Sequence, residues 1–577
     1  MNSNPVETLW WRRCGFLAAV LFAAVLLNNS ELIFHSRQYE TDDYAADSLQ
    51  IIKAKHFRET LGQYSRYGFH HPGPAFFYIF ALGELVFSDA THLVPAPFNG
   101  QLMALYGLSA FFFGAALAIA ARRLRTGGIW FVAFALLLAA WHFGAVGKFY
   151  DFVPGRPGLF CLWPPCLLVF PFLCFLVAAA SVASGETRDL PLMTLAACFL
   201  VHGHISMPLF VGPLSILAYA GLIQQTRTSQ SNGKSWPWQN ASRQHWLAAG
   251  LIALFLLPIL LDLLTAHPNN LQRIVSHLQS GYGQRKSFLQ SGLYFLHFGA
   301  YSAYPSRNPI PAFEDFDWAG IVSFFKTHWK AYGLWIVVLV LGAALVRKKN
   351  GPRAQLPVIE FRRRLWLMIL AATALTLVWG CLQEGPLFYY NSLSNFAIYY
   401  SVLLTFALSW AVWIERWISG KPHRRLVLTG KIILFAMVAF AFVQNARRFR
   451  GVPPDQAEQA RFANSIEEAL QLDPVQPKFL NFDWQAGGQT TRVALYLERH
   501  GYRWMVRENW PMLFGREHIV AERETDPEKI PGAGSSFWRV ALHSNSTAAA
   551  AEYNGSVFPL TNAYDLIVRP GTNHKSR

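Results

Sequence analysis

The chain has 577 residues, 53% of them hydrophobic, 15% aromatic and 15% charged, with a mean hydropathy of +0.22. That excludes a soluble globular protein of this size, because the apolar residues fall in blocks of about the 20 residues that a bilayer crossing needs. The formal charge of +16 is not a nucleic-acid signal: residues 451–577 hold 13 Lys and Arg against 15 Asp and Glu, so the excess lies in the membrane half, where cytoplasmic loops carry it.

Apolar blocks near 14–34, 99–120, 128–147, 160–182, 190–204, 206–223, 246–264, 331–346, 365–382, 393–414 and 427–444 predict about eleven transmembrane helices. The first block is long and ends in "NNSELIF" without a small-residue cleavage site, so it reads as a retained anchor and not a signal peptide. Arg12 and Arg13 precede it, and "ARRLR" (121–125), "RKKNGPR" (347–353) and "KPHRR" (421–425) follow later spans so as to place the N-terminus in the cytoplasm. "ARRFR" (446–450) falls on the opposite side. It is read as holding the tail against lipid headgroups, the other reading being a span count off by one.

The first outer loop, 35–98, opens with "YETDDYAADS" at the start of a helical stretch. Asp42 and Asp43 stand there at the membrane surface, with Asp47 one helical turn on. An N-cap role, satisfying free backbone amides, is one reading. A general base toward an acceptor hydroxyl is the other. Next comes "GQYSRYGFHHPGPAFFYIF" (62–80), where Arg66, His70 and His71 suit a phosphate: arginine matches its oxygens as a fork, and imidazole donates to the same group. Pro72 and Pro74 stiffen the turn, and "AFFYIF" returns to apolar surroundings as an interfacial helix does. Headgroup contact in an interface belt accounts for the same residues.

Further outer-face candidates are Lys148, Asp151 and Arg156 in "GKFYDFVPGRPG", and His202 and His204 in "VHGHIS". A second outer loop, 265–330, supplies Arg285 and Lys286, and "QEGPLFYYN" supplies Glu384, Tyr389 and Tyr390. The His-x-His pair has no third metal ligand near it in sequence and reads first as a hydrogen-bonding pair. The six cysteines sit in or beside apolar blocks and read as small buried hydrophobes. In the tail, 454–472 and 490–501 read as helices, and 478–482, 502–506, 537–543 and 564–570 as strands: a small α/β domain. No Walker loop, GxGxxG after a strand, GxSxG or CxxC occurs, so nucleotide-driven chemistry has no support.

The chain resembles the GT-C superfamily of polytopic glycosyltransferases, which use polyprenyl-phosphate sugars and carry a catalytic acid in the first outer loop. More narrowly, it is similar to a bacterial group with a GD-x-A-L-I-E-L stretch, then G-P-Y-S-R-F-G-W-N-H-P-G-P, Q-T-H-V-G-Y, and P-x-x-x-D-Q-L followed by P-G-N-L. The matching stretches here are "DDYAADSL", "GQYSRYGFHHPGP", "HGHISM" and "PILLDLLTAHPNNL". By that resemblance Asp43 takes the place of the acid and Asp47 that of the following Glu, while Arg66, His71, His204 and Asp262 match directly. Asp42 stands where the group has glycine, which leaves open which aspartate is the base, and His70 stands where the group has asparagine, so the resemblance assigns it no role.

The expected fold is a polytopic α-helical membrane protein with a C-terminal extracytoplasmic α/β domain: residues 1–450 in the membrane with their outer loops, and 451–577 outside. The expected activity, which the resemblance implies, is inverting transfer of a sugar from a polyprenyl-phosphate donor to a cell-envelope glycan, lipid or protein, at the outer face of the bacterial cytoplasmic membrane. Asp43 or Asp42 is the base, and Arg66, His70, His71, Arg156, His204 and Tyr389 bind donor phosphate or substrate. The partners are the lipid-linked donor, the acceptor and the bilayer, without nucleic acid. No motif calls for a cofactor, and a divalent cation stays open. Rival readings are a lipid-linked glycan transporter or flippase, a polymerase or ligase using lipid-diphosphate oligosaccharides, and an inactive glycan sensor. Charges gathered at one face, with spans nearly free of them, speak against a transporter.

Overall fold

The computed structural model describes residues 5–124, 128–147, 162–229, 243–280, 285–303, 318–347, 356–383, 387, 389–419, scattered positions from 429 to 441, 456–472, 477–482, 484–507, 511–520, 536–553 and 555–570. The chain divides into two compact units, one of Met1–Ser30 with Met103–Val452 and one of Glu31–Leu102 with Pro453–Arg577.

The first unit is helical. Pro97–Ala121, Pro164–Ala183, Met207–Arg227, Arg243–Thr265, Pro357–Leu382 and Asn395–Trp417 are each long and apolar enough to cross a membrane, and Cys14–Asn28 and Gly128–Phe143 are shorter apolar stretches. These helices make the chain an integral membrane protein. Other predicted blocks differ. Leu190–Gly203 has 14 residues, about 21 Å of helix, which is short of a hydrocarbon core of about 30 Å. The block at 331–346 lies within the helix Trp318–Arg347, and that at 427–444 has only scattered described positions.

Helix Val169–Ala183 has no charged side chain and is buried along its whole length. It packs against Leu190–Gly203, Met207–Ser229, Leu356–Leu382 and Asn395–Ser419, as a helix that is apolar all round must. Arg122 Nη1 and Nη2 donate to the two Asp189 carboxylate oxygens at 3.0 and 2.5 Å, and Arg123 pairs with Glu186 at 3.1 Å. The basic cluster at 121–125 is thus partly neutralised by its own fold.

The second unit joins the segment Glu31–Leu102, which contains the first predicted loop, to the tail. The loop contributes α1 (Asp43–Lys55) and α2 (Ala75–Gly83). The tail contributes α3 (Gln456–Leu472), β1 (Lys478–Phe482), α4 (Gly487–Arg499), β2 (Trp504–Arg507), β3 (Ile519–Val520) and β4 (Ser536–Leu542), then α5 (His543–Tyr553), β5 (Ser556–Pro559) and β6 (Tyr564–Arg569). The six strands form one sheet in the order β3-β2-β1-β4-β6-β5. The first four neighbours run parallel, and β6 and β5 close the far edge as an antiparallel pair. The six tail segments predicted from sequence are present with shifts of a few residues, whereas β3, β5 and α5 were not predicted. The two missed strands have two and four residues, and α5 is an alanine-rich run with no hydrophobic stripe.

The unit's core contains Val493, Ala494, Leu497, Trp504, Val506, Trp538 and Leu566 from the tail, and Ala45, Ala46 and Leu49 from α1. Trp504 is a core residue: its ring stacks on His518 at 3.7 Å, and its Nε1 donates to Glu498 at 2.7 Å. Phe514 packs edge-on to the same ring. Trp484 and Trp510 have side chains outside the described residues.

Candidate functional site

The α1 helix begins at a residue with an unusual backbone. Asp42 occupies its N-cap position at φ 50°, ψ −124°, and its side chain makes no capping hydrogen bond. The predicted capping role therefore does not fall to the Asp42 carboxyl. Only glycine enters this region of backbone space freely, and other residues are held there at a cost of about 1–3 kcal/mol by the structure around them.

The surroundings that hold Asp42 come from the tail. Its carboxyl lies against Gly488 in the first turn of α4, where an added Cβ would come within 2.9 Å of the Asp42 Cγ. Thr491 Oγ1 donates to the Asp42 carbonyl at 3.2 Å and to that of Gly488 at 2.7 Å. Asp42 is exposed as a residue, but the protein packed around its carboxyl and the neighbouring Asp43 raise its pKa above the ordinary value, against the pull of Arg492 and a hydrogen bond from Thr41.

Asp43 points elsewhere. Its Oδ1 accepts a hydrogen bond from the Tyr64 hydroxyl, and its other oxygen has no partner among the described residues. Burial, then the Asp43 charge, raise the Tyr64 pKa, so the phenol keeps its proton and donates it. One turn on, buried Asp47 accepts from Gln63 Nε2 at 3.0 Å through Oδ2, while its Oδ1 has no hydrogen-bond partner among the described residues. Gln50, three residues further, sets its amide 3.5 Å from His70 Nδ1. Residues 43, 47 and 50 share one face of a helix; that face hydrogen-bonds Tyr64 and Gln63 and lies against His70.

Those three partners belong to a tight hairpin. Tyr64 and His70 form an antiparallel bridge, and backbone bonds join Ser65 N to Phe69 O (2.8 Å), His71 N to Gln63 O (2.8 Å) and Gly62 N to His71 O (3.1 Å). Ser65–Gly68 makes the turn, with Gly68 at φ 91°, a value suited to glycine. Gly62 is needed for closeness: a Cβ there would lie 2.6 Å from the His71 carbonyl oxygen.

The hairpin sorts the predicted Arg/His cluster. Arg66 stands exposed at the tip and makes no ion pair among the described residues; its charge acts on Tyr64. His70 is buried, and its Nδ1 lies 2.9 Å from the Gly62 carbonyl, so that nitrogen carries the proton and donates it to the hairpin's own backbone. His71 is also buried, edge-on to Phe69. Of the three, only Arg66 presents its polar end openly.

The remaining candidates lie in the first unit. His204 follows helix Leu190–Gly203, and its Nδ1 accepts the Ser206 backbone N–H at 3.1 Å. His202 donates through Nε2 to the Phe255 carbonyl at 2.9 Å. The two imidazoles are thus engaged with different backbone groups, and no cluster of three or more His, Cys, Asp or Glu able to hold a metal occurs among the described residues. Asp262 accepts the Asn270 backbone N–H at 2.7 Å and so caps the helix Asn270–Ser280. Tyr389 opens a short 3₁₀ turn, Tyr389–Ser392, but its side chain lies outside the described residues, as do Lys148, Asp151, Arg156 and Glu384.

Sequence reasoning missed Tyr64, Gln63, Gly488 and Arg492. Tyr64 and Gln63 lay inside the stretch singled out. The signal that finds them is the Gly62…Gly68 spacing, which marks a hairpin and brings 64 back toward the helix.

No family model and no curated protein matches the chain. Among solved structures it is similar to ArnT from Cupriavidus metallidurans in the apo state, with a TM-score of 0.43, and to the same protein bound to undecaprenyl phosphate, with a TM-score of 0.44. Both are 13% identical, and each match covers 95% of this chain and 97% of the other.

Proposed function

We propose that the protein is a membrane glycosyltransferase of the GT-C type, with Asp43 as general base. The acceptor hydroxyl loses its proton to Asp43 as its oxygen bonds the sugar's anomeric carbon from the face opposite the leaving group. The bond from that carbon to the phosphate oxygen breaks, and the polyprenyl phosphate leaves with the electron pair. This inverts the anomeric centre. Arg66 holds the phosphate charge by the fork geometry that guanidinium offers. The donor is a polyprenyl-phosphate sugar, the acceptor a cell-envelope glycan, lipid or protein, and the reaction lies at the outer face of the cytoplasmic membrane.

One observation carries the reading. A partly exposed carboxylate is fixed through one oxygen by Tyr64, on the same hairpin whose tip displays an arginine with no ion pair among the described residues. A base of this kind needs a fixed geometry and an open oxygen. Asp42 fits the role less well, because its carboxyl is turned onto Gly488.

The test offers a panel of polyprenyl-phosphate sugars to the full chain in nanodiscs, measuring donor binding and transfer or hydrolysis separately. Asp43→Asn should bind donor and lose about 10²–10⁴-fold in turnover, the usual share of general-base catalysis. Arg66→Ala should weaken donor binding about 10-fold or more, as expected for a lost charge-assisted bond. A wild type that binds and turns over none of the panel would sink the reading and bring the transporter forward.

A further inference from the structure

We propose that the C-terminal α/β domain is a positioning element for the Asp43 carboxylate, gripping α1 along its apolar face and at the Asp42–Gly488 contact. The inference rests on the reading of Asp43 as base, and it assigns the tail a part in the reaction.

Helix α1 has 13 residues, a length that is marginal for a helix left to itself. Its position must come from what it packs against. Ala45, Ala46 and Leu49 are buried in the tail's core beside Val493, Ala494, Leu497, Trp504 and Trp538. Asp43, Asp47 and Gln50 lie toward the other side, against the hairpin. The helix therefore has an apolar back in the tail and a polar front at the site. Shifting it along the tail displaces Asp43 by the same amount.

The grip at its first residue is more specific. The tail's parallel strands have the order β3-β2-β1-β4, so the direction of winding reverses between β1 and β4. In open α/β sheets the crevice at that reversal, by the first turn of the helix after the strand, is where ligands sit. Here α4 is the helix that follows β1, and its first turn holds Gly488 with Asp42 against it. The chain's own catalytic loop occupies the place of a ligand. Gly488 permits the approach, Thr491 bonds the Asp42 carbonyl, and Arg492 supplies opposite charge. These are positioning residues: they act on the reaction through the backbone that precedes Asp43.

The experiment compares wild type, Gly488→Ala and the pair Gly488→Ala/Asp42→Gly in nanodiscs. A methyl at 488 collides with the Asp42 carboxylate and comes within 3.3 Å of the Asp42 Cα, so the backbone must give as well as the side chain, and glycine at 42 removes the side-chain collision while suiting the backbone at φ 50°. Gly488→Ala should lower turnover at least about 10-fold with donor affinity kept within about twofold, since a small misplacement of a reacting group costs rate more than binding. The double variant should recover turnover to within about threefold of wild type. Hydrogen exchange of the α1 amides is read in parallel: faster in Gly488→Ala, restored in the pair, with amides of β1 and β4 unchanged as proof that the tail is folded. Unchanged α1 exchange in Gly488→Ala overturns the grip whether or not any donor is turned over. Faster exchange with undiminished turnover overturns its role in positioning. Absence of activity in wild type with altered α1 exchange keeps the grip and overturns the assignment of Asp43.

Discussion

Asp47 carries its carboxyl into buried surroundings that offer one hydrogen-bond donor, Gln63, with the Asp43 charge one turn away. Burial first, and then Asp43, raise its pKa well above the ordinary 3.8. Glu59 is pushed up to about 7 by burial, against the pull of Lys53 and of the Thr60 and Leu61 amides that bond it. Both groups keep their protons in the folded chain at pH values where the unfolded chain has released them. The native state then binds more protons than the unfolded one, so these groups make stability fall as pH rises through the window. For Glu59 the window runs from 4.5 to about 7 and amounts to roughly 3 kcal/mol. Asp47→Asn and Glu59→Gln each keep a carbonyl acceptor and remove the titration, so Glu59→Gln should flatten the decline in Tm between pH 4.5 and about 7, and Asp47→Asn should flatten the decline that sets in above 3.8. A variant whose Tm follows wild type across that range would show the carboxyl to be charged in the fold.

At the same scale, Tyr64→Phe keeps the ring and removes the hydroxyl that fixes Asp43. Turnover should drop about 10- to 100-fold with donor affinity unchanged. Equal losses in both would mean that Tyr64 touches the donor. Asp43 was legible in sequence because acids stand right after the first span. Its partner was not, since 21 positions separate it from Tyr64, and no helical or strand spacing links residues that far apart. Asp42 was legible as an acid only; an aspartate gives no sign in sequence that its backbone is held at positive φ.

Among the elements, α1 is tied to α4 by charge as well as packing. Glu84 is fully buried; it accepts from Lys55 at 2.9 Å, Gln101 at 2.7 Å and Arg499 at 3.0 Å, and Arg499 also pairs with Glu40 at 2.5 Å. Burial alone would raise the Glu84 pKa, but Arg499 and Lys55 outweigh it and hold the carboxyl below its usual range. Breaking a buried ion pair costs about 3–5 kcal/mol when the remaining charge has no other partner. Arg499→Ala takes the cation from Glu40 but leaves Glu84 its Lys55, so it should lower the unfolding free energy of this unit by about 3 kcal/mol, the low end of that range, read by calorimetry or by exchange of the β1 and β4 amides. An unchanged transition would mean that water reaches Glu84 and solvates it. In the sequence these residues are scattered through loops and a tail helix, where charges read as solvated. The helix periods of α1, α3 and α4 were plain, because each has an apolar stripe at regular spacing; the ion network has no period to detect.

For the molecule as a whole, membrane residence and the tail's α/β character were legible because both rest on long apolar or alternating runs. The sharing of one core by loop and tail was not, since Ala45, Ala46 and Leu49 would suit any apolar neighbour. That sharing bears on how the protein is made. About 400 residues separate the end of α1 from the start of α3, and at 5–20 residues per second the tail emerges roughly 20–80 s after the helix it must cover. Through that interval α1 has no core to enter, and Asp42 has nothing to hold its backbone at positive φ. On the proposed reading the nascent chain thus meets lipid-linked sugars while catalytically silent, and it gains its base only when the last strands are complete.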